Sequence, residues 1–111
     1  PRSPLFPYTT LFRSPAARSL LQAGARRVLI TLGAQGVLYA DAERHAHFAV
    51  APVAAVDTTA AGDTFVGGFA AALAAGQPLE AAIALGQQAA ALAVTRPGAQ
   101  PSIPYRHELP A

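Results

Sequence analysis

Apolar residues in this chain fall into blocks of two kinds. Val28, Leu29, Ile30, Thr31 and Leu32 run without a charged interruption between Arg27 and Gly33, the mark of a strand buried on both faces in a parallel sheet. Val37, Leu38 and Tyr39 predict a second strand, and the weak alternation from His47 to Val53 predicts a third. The stretch from Ala40 to Ala46 is polar and reads as an exposed hairpin. Ahead of these strands, Ala16, Ala17, Leu20, Leu21 and Ala25 suggest a short helix ending near Gly24, a residue suited to a helix C-terminus. Phe65, Phe69 and Leu73 stand four apart and predict a helix from about Ala61 to Ala75, with Gly76 as its stop. Pro78 opens another helix, with Glu80 in its first turn, running through Ala81, Ile83, Leu85, Ala89, Leu92 and Ala93 to about Thr95. Its many alanines predict a low-relief surface. The segment Thr95 to Pro104, TRPGAQPSIP, is a closing loop, and Tyr105, Arg106 and His107 are expected to be solvated. Strands and helices of these lengths in this order predict an α/β domain.

Two turns break the pattern in ways that suggest chemistry. Gly33 and Gly36 bracket Ala34 and Gln35 between two apolar runs, so TLGAQG is a tight glycine turn, a feature that by itself is usually only a turn. The second is VDTTAAGDTFVGGF, Val56 to Phe69. Ala60, Ala61 and Gly62 carry almost no side chain, so their backbone N–H groups can approach a ligand closely. The helix that follows adds unpaired donors and the positive end of its dipole, which suits an anion. Asp63 stands where a carboxylate could take a proton from an attacking hydroxyl. An Asp in the first turn of a helix is also a common cap or dipole partner, and spacing alone leaves both roles open. Gly67, Gly68 and Ala71 cost helix propensity, which close packing against a neighbouring backbone or a ligand would offset. His45 and His47, two apart on one strand face, lack a third ligand and read as surface residues rather than a metal pair.

Composition narrows the classes. The chain has 111 residues and 52% hydrophobic content, enough for one domain at most and too apolar for a disordered tail. Arg, Asp and Glu interrupt its apolar runs too often for a membrane span. All eight basic residues are Arg, and a net charge of +2 spread along the chain gives no footprint for nucleic acid. With no Cys there are no disulfides or thiolate metal sites. Neither GxxxxGK[ST] nor GxGxxG occurs.

The string from Asp57 to Phe69 resembles the second signature of the ribokinase-type sugar kinases, the carbohydrate kinase family named after phosphofructokinase B. Asp57, Thr59, Ala60, Ala61, Gly62, Asp63, Gly67, Gly68 and Phe69 all fit it. AVTRPGAQPSIP is also similar to that family, and the similarity extends from about Ala16 to Pro110. The resemblance implies the C-terminal part of a ribokinase-like three-layer α/β/α fold and transfer of the ATP γ-phosphoryl group to a sugar hydroxyl, in ribokinases the 5-hydroxyl of ribose. It implies Asp63 as general base and as the group facing the substrate hydroxyl, with an anion hole from the N–H groups of Ala60, Ala61, Gly62 and Asp63. ATP would lie along Thr31, Leu32, Gly33, Ala34, Gln35 and Gly36, with Gly62 and Gln87 adding contacts. A monovalent cation, K+, would be held by Asp57, Thr59, Ala93, Arg96, Gly98 and Ser102, several through backbone carbonyls. Arg96 would have to offer its carbonyl, because its guanidinium would repel the ion. The other reading of Asp57 is that it pairs with nearby backbone or an Arg and orders the loop.

The family's sugar-binding residues, lid strands and Mg2+-organising motif would lie upstream of residue 15. There the chain reads PRSPLFPYTTLFRS, and Leu5 to Ser14 resembles a translated sequencing adapter; the other reading is an ordinary aromatic, Pro-interrupted lead-in. Residues 1–14 are therefore expected to be an artefactual leader, and 15–111 the C-terminal fragment of a cytoplasmic kinase, inactive alone, whose parent could be a homodimer. Its expected partners are ATP and a small sugar, with no nucleic acid and no membrane. The alternatives are a fructose or nucleoside kinase of the same family and a non-catalytic nucleotide- or anion-binding module.

Overall fold

The computed structural model describes residues 15–110, which fall into two compact units divided after Val50. The suspected leader, residues 1–14, lies outside the described residues.

In the first unit, a helix α1 over residues 15–22 leads into a three-stranded sheet. Gly24, at φ 118°, ends α1. The Ala25 N–H donates to the Leu20 carbonyl and the Gly24 N–H to the Leu21 carbonyl, which together satisfy two of the helix's terminal acceptors. Strands β1 (Arg27–Thr31), β2 (Val37–Asp41) and β3 (His45–Phe48) form an antiparallel meander with β2 in the centre. Val28 faces Ala40, Ile30 faces Leu38, and Leu38 faces His47 across the two ladders. Val37 to Ala40 are buried, and Ala17, Val28 and Ala40 form a small core with Leu21 and Ile30 packed on it.

Three expectations change here. β1 pairs only antiparallel among the described residues, and of its five residues Val28 alone is buried. The apolar run was a sound sign of a strand, but five connecting residues can join only antiparallel neighbours, since a parallel partner needs a crossover of a dozen residues or more. The hairpin turn expected over Ala40 to Ala46 is confined to residues 42–44: Ala40, fully buried, and Asp41 belong to β2, and His45 and Ala46 to β3. β3 starts at His45 and stops at Phe48, so most of the His47 to Val53 alternation is irregular chain. The reason is Asp41: its Oδ1 accepts the N–H groups of Glu43 and Arg44 at 2.8 and 2.9 Å, closing the turn early and starting β3 at once.

The second unit is a pair of helices, α2 (Ala61–Ala74) and α3 (Leu79–Val94), followed by two short 3-10 turns, Gln100–Ser102 and Arg106–Glu108. Gly76 ends α2 as Gly24 ends α1, with the Gln77 N–H on Ala72 and its own N–H on Leu73. Pro78 is the N-cap of α3 and Thr95 its C-cap. Of the expected stripe on α2, Phe65 is buried, Phe69 half-buried and Leu73 exposed. Steps of four advance 400° round a helix with 3.6 residues per turn, so the stripe drifts off the interface. Gly68 bears out the close packing expected of it: a Cβ there would lie 3.1 Å from Gly86 Cα. Gly67 and Ala71 are exposed instead. On α3, Ala82, Ile83, Gly86, Ala89 and Ala93 make the buried face.

Candidate functional site

The loop before α2 is fastened by its own side chains. Asp57 Oδ1 accepts the Thr59 N–H at 2.9 Å and the Thr59 hydroxyl, while Oδ2 accepts the Gly98 N–H at 2.9 Å. These bonds, the Thr59 hydroxyl first, hold the Asp57 carboxyl below the ordinary carboxylate range, so it is anionic at neutral pH. The N–H groups of Val56 and Asp57 donate to the Val94 carbonyl at 2.7 and 3.1 Å. The loop thereby runs against the end of α3 and the segment beyond it.

At the junction with the helix, Ala60 is the N-cap without a side-chain cap of its own. Its carbonyl accepts both the N–H of Thr64, at 2.9 Å, and the buried Thr64 hydroxyl, at 2.6 Å. The Ala61 N–H donates to the Thr58 carbonyl at 3.2 Å. The first turn of α2 therefore points the N–H groups of Gly62 and Asp63, which have no intrahelical acceptors, toward the exposed end of the helix. Asp63 is exposed and is the acidic residue of that turn.

One of the C-terminal candidates, Gly98, reaches the same loop. Gly98 is bonded to Asp57, and the Arg96 N–H donates to the Ala93 carbonyl at 3.1 Å. The Arg96 guanidinium is held by Glu108 through two bonds, 3.2 and 2.6 Å. Ser102 is buried, with its hydroxyl donating to Ala99 rather than to the Asp57 loop. Gln87 is half-buried midway along α3. In the other unit, Thr31 ends β1 and Gly33–Gln35 form a 3-10 turn, closed by the Leu32 N–H on the Gly36 carbonyl at 2.8 Å. Gly36 has φ 95°, and a Cβ there would come within 2.1 Å of the Phe48 carbonyl oxygen, so only glycine fits.

Thr64, Gly86 and Glu108 make contacts around this region that the sequence patterns did not single out: Thr64 on the Ala60 carbonyl, Gly86 against Phe65 and Glu108 on Arg96. Only Glu108 left a trace, as a Glu three residues after the start of a turn. His45 and His47 belong to no group of three or more metal-ligating residues among the described residues. Nor, among those residues, is any helix long and apolar enough to cross a membrane.

The pattern of the pfkB family of carbohydrate kinases matches residues 13–106. A ribokinase of Haemophilus influenzae is 47% identical over 93 residues, covering 84% of this chain and 30% of that protein. A fructokinase of Salmonella typhimurium is 47% identical over 88 residues, covering 74% and 29%. Among solved structures, the ribokinase of Thermotoga maritima superposes with a TM-score of 0.82 at 49% identity, over 85% of this chain and 32% of that one. The Arabidopsis thaliana ribokinase complexed with ribose and ATP gives 0.80 at 36%, over 85% and 31%. Phosphofructokinase-2 of Escherichia coli in complex with potassium gives 0.68 at 34%, over 77% and 28%. The chain spans about a third of the length of these relatives. It belongs to the pfkB family of carbohydrate kinases, and its α/β fold is part of the ribokinase-like domain.

Proposed function

We propose, starting from that membership, that residues 15–111 are the C-terminal part of an ATP-dependent sugar kinase and that ribose, phosphorylated to ribose 5-phosphate, is its substrate. The observation that supports this best is the loop from Asp57 to Asp63. It is anchored at its base by hydrogen bonds and ends in an exposed carboxylate beside first-turn N–H groups of α2. In this reading the Asp63 carboxylate takes the proton of the sugar hydroxyl as its oxygen attacks the γ-phosphorus, and ADP departs. The N–H groups of Gly62 and Asp63, with that of Ala60 as a further candidate, stabilise the charge on the transferred group, while the Ala61 N–H, also expected in the anion hole, is taken by the Thr58 carbonyl. The glycine turn of residues 31–36 offers a nucleotide a backbone surface within the first unit, and in the second unit Gly62 and Gln87 are candidates for ATP contact, with Mg2+ carried by the phosphates when bound.

The residues assigned to K+ fit such an ion by their chemistry. They present one anionic carboxylate, hydroxyls and main-chain carbonyls, all hard oxygen donors. The single positive side chain among them, Arg96, is neutralised by Glu108. The ion, when bound, would add positive charge beside the anion-binding loop. Asp57 orders that loop through Thr59 and Gly98 in either case.

Substitution Asp63→Asn in the full-length protein tests the assignment. Turnover of ribose and ATP is expected to fall about 10²–10⁴-fold, the usual worth of a positioned base, with ATP binding retained. Unchanged turnover would remove Asp63 from the mechanism. Fructose is the second reading, because the fructokinase matches at the same 47% identity; the ratio of kcat/KM for the two sugars decides between them.

A further inference from the structure

The bond between Asp57 and Gly98 depends on where the segment 96–98 lies, and a side chain twelve residues further on grips that segment. Arg96 Nη1 and Nη2 donate to Glu108 Oε1 and Oε2 at 3.2 and 2.6 Å. Two parallel bonds fix the plane of the guanidinium as well as its distance. Both side chains are about two-thirds covered, at 31% and 28% exposure, so the pair is less screened than one standing in open water. Glu108 is itself pinned, since Oε1 also accepts the Tyr105 N–H at 2.8 Å and the Glu108 N–H donates to the Tyr105 carbonyl at 2.9 Å. Arg96 is thus held at both ends, its main chain on the Ala93 carbonyl and its side chain on the terminal turn.

We infer that Glu108 is a positioning residue for the cation loop. By gripping Arg96 it keeps the main chain of Arg96 and Gly98 in register with Asp57 and holds the guanidinium away from the ligand carbonyls. The role requires the bidentate charged pair, not merely a polar residue at 108. It rests on the sugar-kinase reading for its consequence in turnover, and on the cation assignment alone for its consequence in binding.

The test is a potassium titration of the full-length protein, wild type, Glu108→Gln and the charge-swapped Arg96→Glu/Glu108→Arg pair. It is read both as ribose-dependent ATP turnover and as the shift of the thermal midpoint in KCl against tetramethylammonium chloride at equal ionic strength. Glu108→Gln is expected to raise the half-saturating potassium concentration about tenfold, the lower end of what outer partners of metal ligands contribute. The KM values for ATP and ribose at saturating potassium should stay unchanged, and the swapped pair should recover most of the loss. An unaltered half-saturation point in Glu108→Gln overturns the inference while leaving the kinase reading in place. If the wild type transfers no phosphoryl group to any sugar, the kinase reading fails, and the thermal shift still reports on Glu108. A wild type whose midpoint and turnover both ignore potassium overturns the inference outright.

Discussion

Two turns built from small residues carry the candidate chemistry, and they are held in different ways. The turn at residues 32–36 closes on itself through backbone bonds, Leu32 to Gly36 and Gly36 to Gly33, with Gly36 pressed against the Phe48 carbonyl. The loop at 57–63 has a single backbone bond of its own, Ala61 to Thr58 at 3.2 Å, and relies on side chains for the rest. It is held by a carboxylate, through Asp57 to Thr59 and Gly98, by the Thr64 hydroxyl on Ala60, and beyond that by the Arg96 and Glu108 pair. The first turn should therefore be sensitive to added volume and indifferent to charge. The second should tolerate small changes of volume and respond to protonation.

The largest effect is expected at Gly36→Ala, which both forces a Cβ into the left-handed region and drives it onto backbone that cannot swing aside. Strain and overpacking together should cost about 2–5 kcal/mol in urea unfolding. A loss under about 1 kcal/mol would mean that the turn yields as readily as a surface loop. Next comes Gly86→Ala, whose Cβ would stand 2.8 Å from both the ring and the carbonyl oxygen of Phe65. The expected cost is about 1–3 kcal/mol from spreading α2 and α3, with the 57–98 bonds left intact. Retained potassium response with lowered stability would confirm that helix packing and loop closure are separable.

The smallest effect is the most discriminating, because it is read by acid. Glu108 is held at about 2 by Arg96 first and the Tyr105 N–H second, and Asp41 at about 2 by the Tyr39 hydroxyl first and two backbone N–H groups after it. Asp57 is also lowered. A carboxylate whose pKa is lower folded than unfolded adds stability above its unfolded value and loses it as pH falls through the folded one. Stability should thus be flat above about pH 5 and fall toward pH 2. Over that window the amide resonance of Gly98 should move with Asp57, whereas that of Gly36 should not. Equal movement of the two would erase the distinction between the turns.

Much of this was legible beforehand. Gly24 and Gly76 marked helix ends because the bonds that stop a helix are made within six residues of the stop. TLGAQG read as a turn, and the loop from Val56 to Phe69 as one delivering a helix, for the same local reason. The parallel setting expected for β1 is not seen among the described residues, where β1 pairs antiparallel with β2, because a continuous apolar run signals a strand and not the direction of its neighbour. The Phe65, Phe69 and Leu73 stripe was placed too strictly at four residues.

The sequence by itself determined where elements begin and end and which loop carries the acid, because backbone preference and hydrophobic period act over a few residues. Only the tertiary structure decided that Asp57 closes on Gly98, 41 residues away, that Arg96 closes on Glu108, and that residue 86 must be a glycine to clear Phe65. Those outcomes depend on which surfaces meet when α2, α3 and the terminal turns pack. A hydrogen bond between distant residues leaves no period in the chain from which it could be read.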